Sequence, residues 1–203
     1  MLIGAYTYAI FTIPAEARAQ VYQYFNGGLI QFTLPVPAAI ILAGLLAAAF
    51  AFLIGLPVLR LKGDYLAIAT LGFAEIIRAL FQYDKLGPIT NGSNLLRKFP
   101  TYSSILFPFA VVAACIAIIL LLINSSYGRA FKAIRDDEIA AEAMGVNLFL
   151  HKQLAFVISS FFAGVGGALL AMYQTTVQAN AFKSSMTYEI LLIVVIGGMG
   201  SVT

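Results

Sequence analysis

Charge is what this chain most lacks. Asp, Glu, Lys and Arg supply 10% of its 203 residues, hydrophobic residues supply 61%, and the mean hydropathy is +0.93. A soluble domain carries about 25% charged residues. So little polar surface cannot cover a water-soluble globule, which leaves an integral membrane protein. The net charge of +3 is small and scattered, which excludes nucleic acid as an expected partner. Basic residues in membrane proteins report topology more often than ligand. Cysteine is nearly absent. Cys115 stands alone in an apolar run, so no intrachain disulfide can form, and packing is its expected role. The single histidine, His151, reads as an interfacial residue rather than a ligand, and no metal site is expected. The motifs of membrane enzymes are missing as well: there is no HExxH, no paired-aspartate prenyl-diphosphate motif and no glycine-rich phosphate loop. The run GGMGSV near the end lacks the aspartate of an intramembrane aspartyl protease. The expectation is a chain that is no enzyme, binds no cofactor itself and takes its energy from a partner or an ion gradient.

Apolar runs dominate what is present. Val36 to Leu59 is free of charge, Tyr65 to Tyr83 is interrupted by Glu75 and Arg78, and both Ile105 to Ile123 and Gln153 to Tyr173 are clean. A fifth run starts at Ile190, and Met1 to Ile13 is a possible sixth. A span needs about 20 residues. Continuous runs predict helices, not the ten-residue alternation of a barrel. The fold class expected is all-α, a polytopic bundle of five to six spans, with residues 1–203 forming one transmembrane domain. The stretch LIGAYTYAIF after Met1 carries no basic n-region and no cleavage site, so no signal peptide is expected. That stretch is short for a span, and the chain stops at GGMGSVT directly after ILLIVVI. Both ends read as cut, and a piece of a longer protein is expected.

Small residues predict where the spans touch, because they let backbones approach. Ala43, Ala47, Ala51 and Gly55 recur every fourth residue in the first long run; Ser160, Gly164, Gly167, Ala168 and Ala171 line the fourth. Gly197, Gly198 and Gly200 predict a close approach or a break. The link from Arg60 to Asp64 is short enough to require antiparallel neighbours. Alternation puts that link on the same side as residues 124–152, with Asp84 to Ser104 and Gln174 to Thr187 opposite. Six basic residues on the first side (Arg60, Lys62, Arg129, Lys132, Arg135, Lys152) face five on the second (Arg18, Lys85, Arg97, Lys98, Lys183), a slight vote for a cytoplasmic first side.

Residues 124–152, NSSYGRAFKAIRDDEIAAEAMGVNLFLHK, hold the densest charge in the chain. Lipid cannot solvate it, so the segment lies in water at a membrane face. Asp136 or Asp137 can cap a helix, Glu138 suits its first turn, and Gly145 supplies its stop. Ile139 to Met144 is a strong helix-forming stretch, and the helix predicted between that cap and that stop has about two turns, roughly 12 Å. A preceding turn over Arg129 to Arg135 sets Lys132 four residues from Asp136 for an ion pair. Ala140, Ala141 and Met144 form an apolar face beside the acids. Such a helix is unstable alone. These residues leave two readings open, a docking element for another protein or an interfacial loop with solvated charges.

The run GRAFKAIRDDEIAAEAMGVN resembles the cytoplasmic coupling loop of permease subunits in bacterial ABC importers. IGAYTYA, GLPVLRLKGDYLAIATLGFAEIIR and EILLIVVIGGMGS resemble, in the same order, the M-type permeases of high-affinity branched-chain amino-acid importers. The matches run from residue 3 to 201, although the family pattern has further spans before the first and after the last. The resemblance implies a permease domain in the bacterial inner membrane that pairs with a second, related permease. Two cytoplasmic ATPase subunits would use the ATP, and a periplasmic binding protein would deliver the amino acid. It assigns coupling to Gly128, Arg129, Arg135, Asp136, Asp137, Glu138, Ala141, Glu142 and Gly145. Glu75 and Arg78, charges inside a span, read either as a structural i, i+3 pair or as part of gating and translocation. Asn91-Gly92-Ser93-Asn94 reads as a turn between spans or a contact for the binding protein. A gradient-driven carrier remains the alternative that composition alone allows.

Overall fold

The structure, a computed structural model, describes residues 1–24, 32–61, 63–102 and 104–198. Lys62 and Gly200 lie outside the described residues. The helices, in chain order, are α1 (Leu2–Thr12), α2 (Ala15–Val21), α3 (Val36–Val58), α4 (Asp64–Gln82), α5 (Gly87–Thr90), α6 (Leu106–Ile123), α7 (Ser126–Asp136), α8 (Glu138–Ala143), α9 (Leu148–Gln174) and α10 (Ser184–Gly197). Four of them, α3, α4, α6 and α9, are long and apolar enough to cross a membrane. Among the described residues there is no sheet. The chain is an all-α, multi-pass membrane bundle.

The core is a trio. Helices α3 and α9 pack against each other along much of their length, and α1 lies against both. The predicted small-residue stripes make this possible: Ala43, Ala47, Ala51 and Gly55 are buried on α3, and Gly164, Gly167, Ala168 and Ala171 on α9, with Ser160 half-buried. A Cβ at Gly164 would lie 2.6 Å from the Ala47 Cβ and 2.7 Å from the Ala43 carbonyl oxygen. Only glycine fits there. Cys115 on α6 packs at the edge of the same core, as expected.

Helix α1 is a shorter apolar helix of 11 residues that packs into the core. It stops at Ile13 because Pro14 forces the preceding residue to extended backbone. Nearly every side chain is buried, and Ala5, Tyr6, Tyr8, Ala9 and Ile13 are fully enclosed. The Tyr8 hydroxyl donates to the Pro100 carbonyl at 2.7 Å, and the Tyr6 ring meets Phe81 edge-on at 4.9 Å. Thr7 and Thr12 satisfy their hydroxyls on carbonyls one turn back, Ile3 and Tyr8 (2.7 and 2.6 Å).

The sidedness predicted by alternation holds. Leu96 and Val177 exchange backbone hydrogen bonds (2.9 and 3.0 Å), which joins the 84–104 and 174–187 connections at one end. At the other end the Arg60 guanidinium sits 5.8 Å over the Phe149 ring, so the short link meets the charged segment. Helices α3 and α4, joined by the short link, touch each other, but α4 packs there far less closely than α9 does and also meets the 179–182 turn. Helix α10 begins at Ser184, six residues before the run expected from Ile190. Gly198 ends it at φ +96°, a conformation glycine adopts without strain, while no atom lies close to Gly197. A break is therefore what Gly198 provides.

Asn91 lies at a turn between spans, one of the two roles expected for 91–94. It is buried, left-handed (φ +61°), and its Nδ2 donates to the carbonyls of Val21 and Leu95 (3.1 and 3.3 Å). It pins the end of α2 to the 91–96 turn. Beside it, burial pushes the Tyr22 phenol up to about 12, so the hydroxyl stays protonated and donates to the Ile89 carbonyl at 2.8 Å.

Candidate coupling site on the charged face

The 124–152 segment is helical, as expected, and forms a hairpin of α7 and α8 that leads into α9. Ser125 caps α7 by accepting from the Gly128 amide at 3.4 Å. At Gly128 a Cβ would collide with the Ile123 carbonyl at the end of α6, so glycine is what lets α7 turn so tightly off the span. The turn predicted over Arg129 to Arg135 is thereby the middle of an 11-residue helix whose Ile134 is buried. Arg129 and Arg135 point to solvent.

Asp137 breaks the helix and starts the next. Its backbone is extended, and its Oδ1 accepts from the amides of Ile139 (2.8 Å) and Ala140 (3.1 Å). Of the two acids that could cap, Asp137 does so, leaving Asp136 exposed at the end of α7. The expected Lys132–Asp136 pair is absent from the ion pairs of the described residues. The adjacent Arg135 takes that carboxylate at 3.2 Å, its planar fork reaching sideways where a lysine one turn away does not. Helix α8 has six residues, Glu138–Ala143, about 9 Å and shorter than expected. Its end matches the prediction. The Val146 amide donates to the Ala141 carbonyl (3.1 Å) and Gly145, at φ +87°, donates to the Glu142 carbonyl (2.9 Å). These are the two bonds of a Schellman stop.

The faces of α8 are distributed otherwise than the sequence reading had them. Ala141 is buried against the bundle, while Ala140, Glu142, Ile139 and Met144 face solvent. Ile139 and Met144 are 81% and 85% exposed. Asn147 then caps α9 through the Leu150 amide (3.1 Å), so the span begins five residues before Gln153 and carries His151 and Lys152 on its first turns. Lys152 reaches Glu138 at 2.7 Å. Between α7 and α9 a groove of about 280 Å³ is lined by Phe131, Ile134, Asp137, Glu138, His151 and Lys152. His151 sits beside the Phe131 ring (6.2 Å), with Nδ1 on the Asn147 carbonyl (2.8 Å).

The structure thus collects Gly128, Arg129, Arg135, Asp136, Asp137, Glu138, Ala141, Glu142 and Gly145 on one hairpin. Glu75 and Arg78 lie apart, on α4. They pair at 2.6 Å, and Glu75 also accepts from the Ser184 hydroxyl at 2.8 Å, tying α4 to α10. Their side chains are 42% and 22% exposed, because the core trio leaves α4 outside it.

Two further residues carry structural roles that local sequence does not reveal. Arg18, one of the five basic residues assigned to the second side, is 4% exposed and donates to the carbonyls of Ile13 (3.1 Å) and Phe32 (2.8 Å). It covers the C-terminal end of α1, where helix carbonyls lack partners. Gln153, taken as the start of a span, is buried, and its Nε2 donates to the Phe52 carbonyl of α3 at 2.9 Å. A polar residue inside the apolar pattern was the available signal.

Comparison with known proteins places this geometry. The family described as "Branched-chain amino acid transport system / permease component" matches residues 1–203. The high-affinity branched-chain amino acid transport system permease protein LivM of Escherichia coli is 36% identical over 98% of this chain and 50% of its own length; that of Salmonella typhimurium gives the same figures. The L-arabinose transport system permease protein AraH of Escherichia coli is 30% identical over 71% of this chain and 45% of its own. No solved structure matches. The chain spans about half the length of these curated relatives. With a match over its whole length, this chain belongs to the family of branched-chain amino acid transport system permease components.

Proposed function

We propose that the chain forms part of the permease subunit of an ATP-driven importer for branched-chain or related amino acids, in the bacterial cytoplasmic membrane. Residues 1–203 act as one permease domain beside a second, related permease. A periplasmic binding protein delivers the solute, and two cytoplasmic ATPase subunits bind and hydrolyse the ATP. The chain itself holds no cofactor. The observation that carries this reading is α8. A six-residue helix is far too short to stand alone, yet both its ends are fixed, by Asp137 and by Gly145, and its large apolar side chains Ile139 and Met144 point away from the bundle. Apolar groups displayed beside Arg135, Asp136 and Glu142 fit a groove on a soluble partner. In this role α8 is a rigid lever that biases a two-state bundle. Glu75 and Arg78 belong to the moving path, where the Glu75–Ser184 bond holds α4 against α10 in this conformation.

The test is co-purification of the ATP-binding subunit with the full-length permease. Met144→Glu or Ile139→Asp is expected to abolish it while leaving the permease folded. Labelling of the hairpin from outside intact cells by a membrane-impermeant reagent overturns the proposal, as does uptake by the permease alone in ATP-free vesicles.

A further inference from the structure

Two consecutive side chains at the base of α9 point to different helices. Lys152 reaches α8 through Glu138 (2.7 Å), and Gln153 reaches α3 through the Phe52 carbonyl (2.9 Å). One turn earlier Phe149 lies under Arg60, just past the end of α3 (5.8 Å). Within five residues, Phe149 to Gln153, α9 therefore holds both the coupling hairpin and the end of the central span.

The grip on α3 falls where that helix is weakest. Pro57 lies inside its last turn, has no amide hydrogen, and so cannot bond the Leu53 carbonyl. The neighbouring carbonyl, Phe52, is the one Gln153 takes. Space for the amide comes from Gly55, where a Cβ would stand 2.5 Å from the Gln153 Oε1 and 2.8 Å from its Nε2. Gln153 is 6% exposed, and its Oε1 has no hydrogen-bond partner among the described residues. A buried amide with one end unsatisfied is held at a cost, and ordinary apolar packing would fill this position more stably.

We propose that Gln153 is a positioning residue for coupling: it makes the proline-weakened end of α3 follow α8 when the hairpin is displaced, with Lys152 as the strut on the hairpin side. The inference rests on the ATP-driven reading above. A glutamine that only stabilises the bundle and one that transmits movement differ in a measurable quantity, the number of ATP molecules hydrolysed per solute carried.

The experiment uses the complete transporter, full-length permeases with ATPase subunits and binding protein, in proteoliposomes. Gln153→Leu keeps the volume and removes the donor. Gly55→Ala combined with Gln153→Ala refills the space and also removes the donor. Both are expected to retain ATPase subunits within about twofold of wild type, while ATP hydrolysed per solute rises about tenfold. Lys152→Met, which removes the strut on the hairpin side, is expected to raise that ratio as well. Unchanged ratios in both Gln153 variants overturn the inference while leaving the ATP-driven reading intact. Loss of the assembled complex in both assigns Gln153 to stability and overturns it too. Wild-type transporter without ATP-dependent uptake removes the underlying reading, and the inference with it.

Discussion

In the trio of α1, α3 and α9, backbones come together at Gly4, Gly164 and Gly167, and a single added methyl group has nowhere to go. In the α7–α8 hairpin, by contrast, only Gly128, Ile134 and Ala141 are buried, and order comes from the ends of helices: Ser125, Asp137 and Asn147 as caps, Gly145 as the stop. The trio draws its stability from dispersion contacts spread over many residues. The hairpin draws its own from a few local hydrogen bonds, each replaceable by water. Elements of low local stability are the ones that move when a partner pushes. A tightly packed trio beneath a hairpin held by local bonds is the division of labour that the proposed coupling role requires.

Substitutions that harm one region and spare the other test this division. The largest effect belongs to Gly164→Leu, which forces a side chain against the Ala43 carbonyl and the Ala47 methyl group. It should destabilise the bundle by about 3 kcal/mol or prevent folding, as read by thermal unfolding in detergent. Asn91→Ala removes the two bonds to Val21 and Leu95 and should cost about 2 kcal/mol in the same assay, with ATPase association unchanged. Asp137→Ala reverses the pattern. Loss of the cap weakens α8 by about 1 kcal/mol, so hydrogen exchange at the Ile139 and Ala140 amides should quicken about fivefold while the melting temperature of the bundle barely moves. The smallest effect is that of Glu138→Gln, which removes an exposed ion pair worth about 0.5 kcal/mol. A double-mutant cycle with Lys152→Met should find that coupling at low salt and lose it at high salt. A Gly164 variant that keeps full stability, or an Asp137 variant that melts the bundle, contradicts the division.

Much of this was legible beforehand because lipid imposes simple rules. Runs of apolar residues gave the spans, the four-residue recurrence of Ala43, Ala47, Ala51 and Gly55 gave the packing face of α3, and alternation put the loops on their proper sides. The cap at Asp137 and the stop at Gly145 were readable since both depend on a few adjacent residues. What failed depended on distant ones. Lys132 and Asp136 are spaced for an ion pair, but Arg135 is closer to that carboxylate. Arg18 reads only as a basic residue of the second side until Ile13 and Phe32 are seen to present carbonyls to it.

The sequence by itself determined that this chain lives in a membrane, which four helices are long and apolar enough to cross it, and where a short capped helix ends the charged hairpin, because hydropathy and capping are local properties of the chain. Tertiary structure alone decided that α1 is enclosed by α3 and α9, that Ala141 faces inward while Met144 faces out, and that Gln153 holds α3 beside its proline. Those outcomes depend on which helix reaches a given face first. In a chain this apolar, many faces compete for the same partner, and only the assembled packing settles the choice.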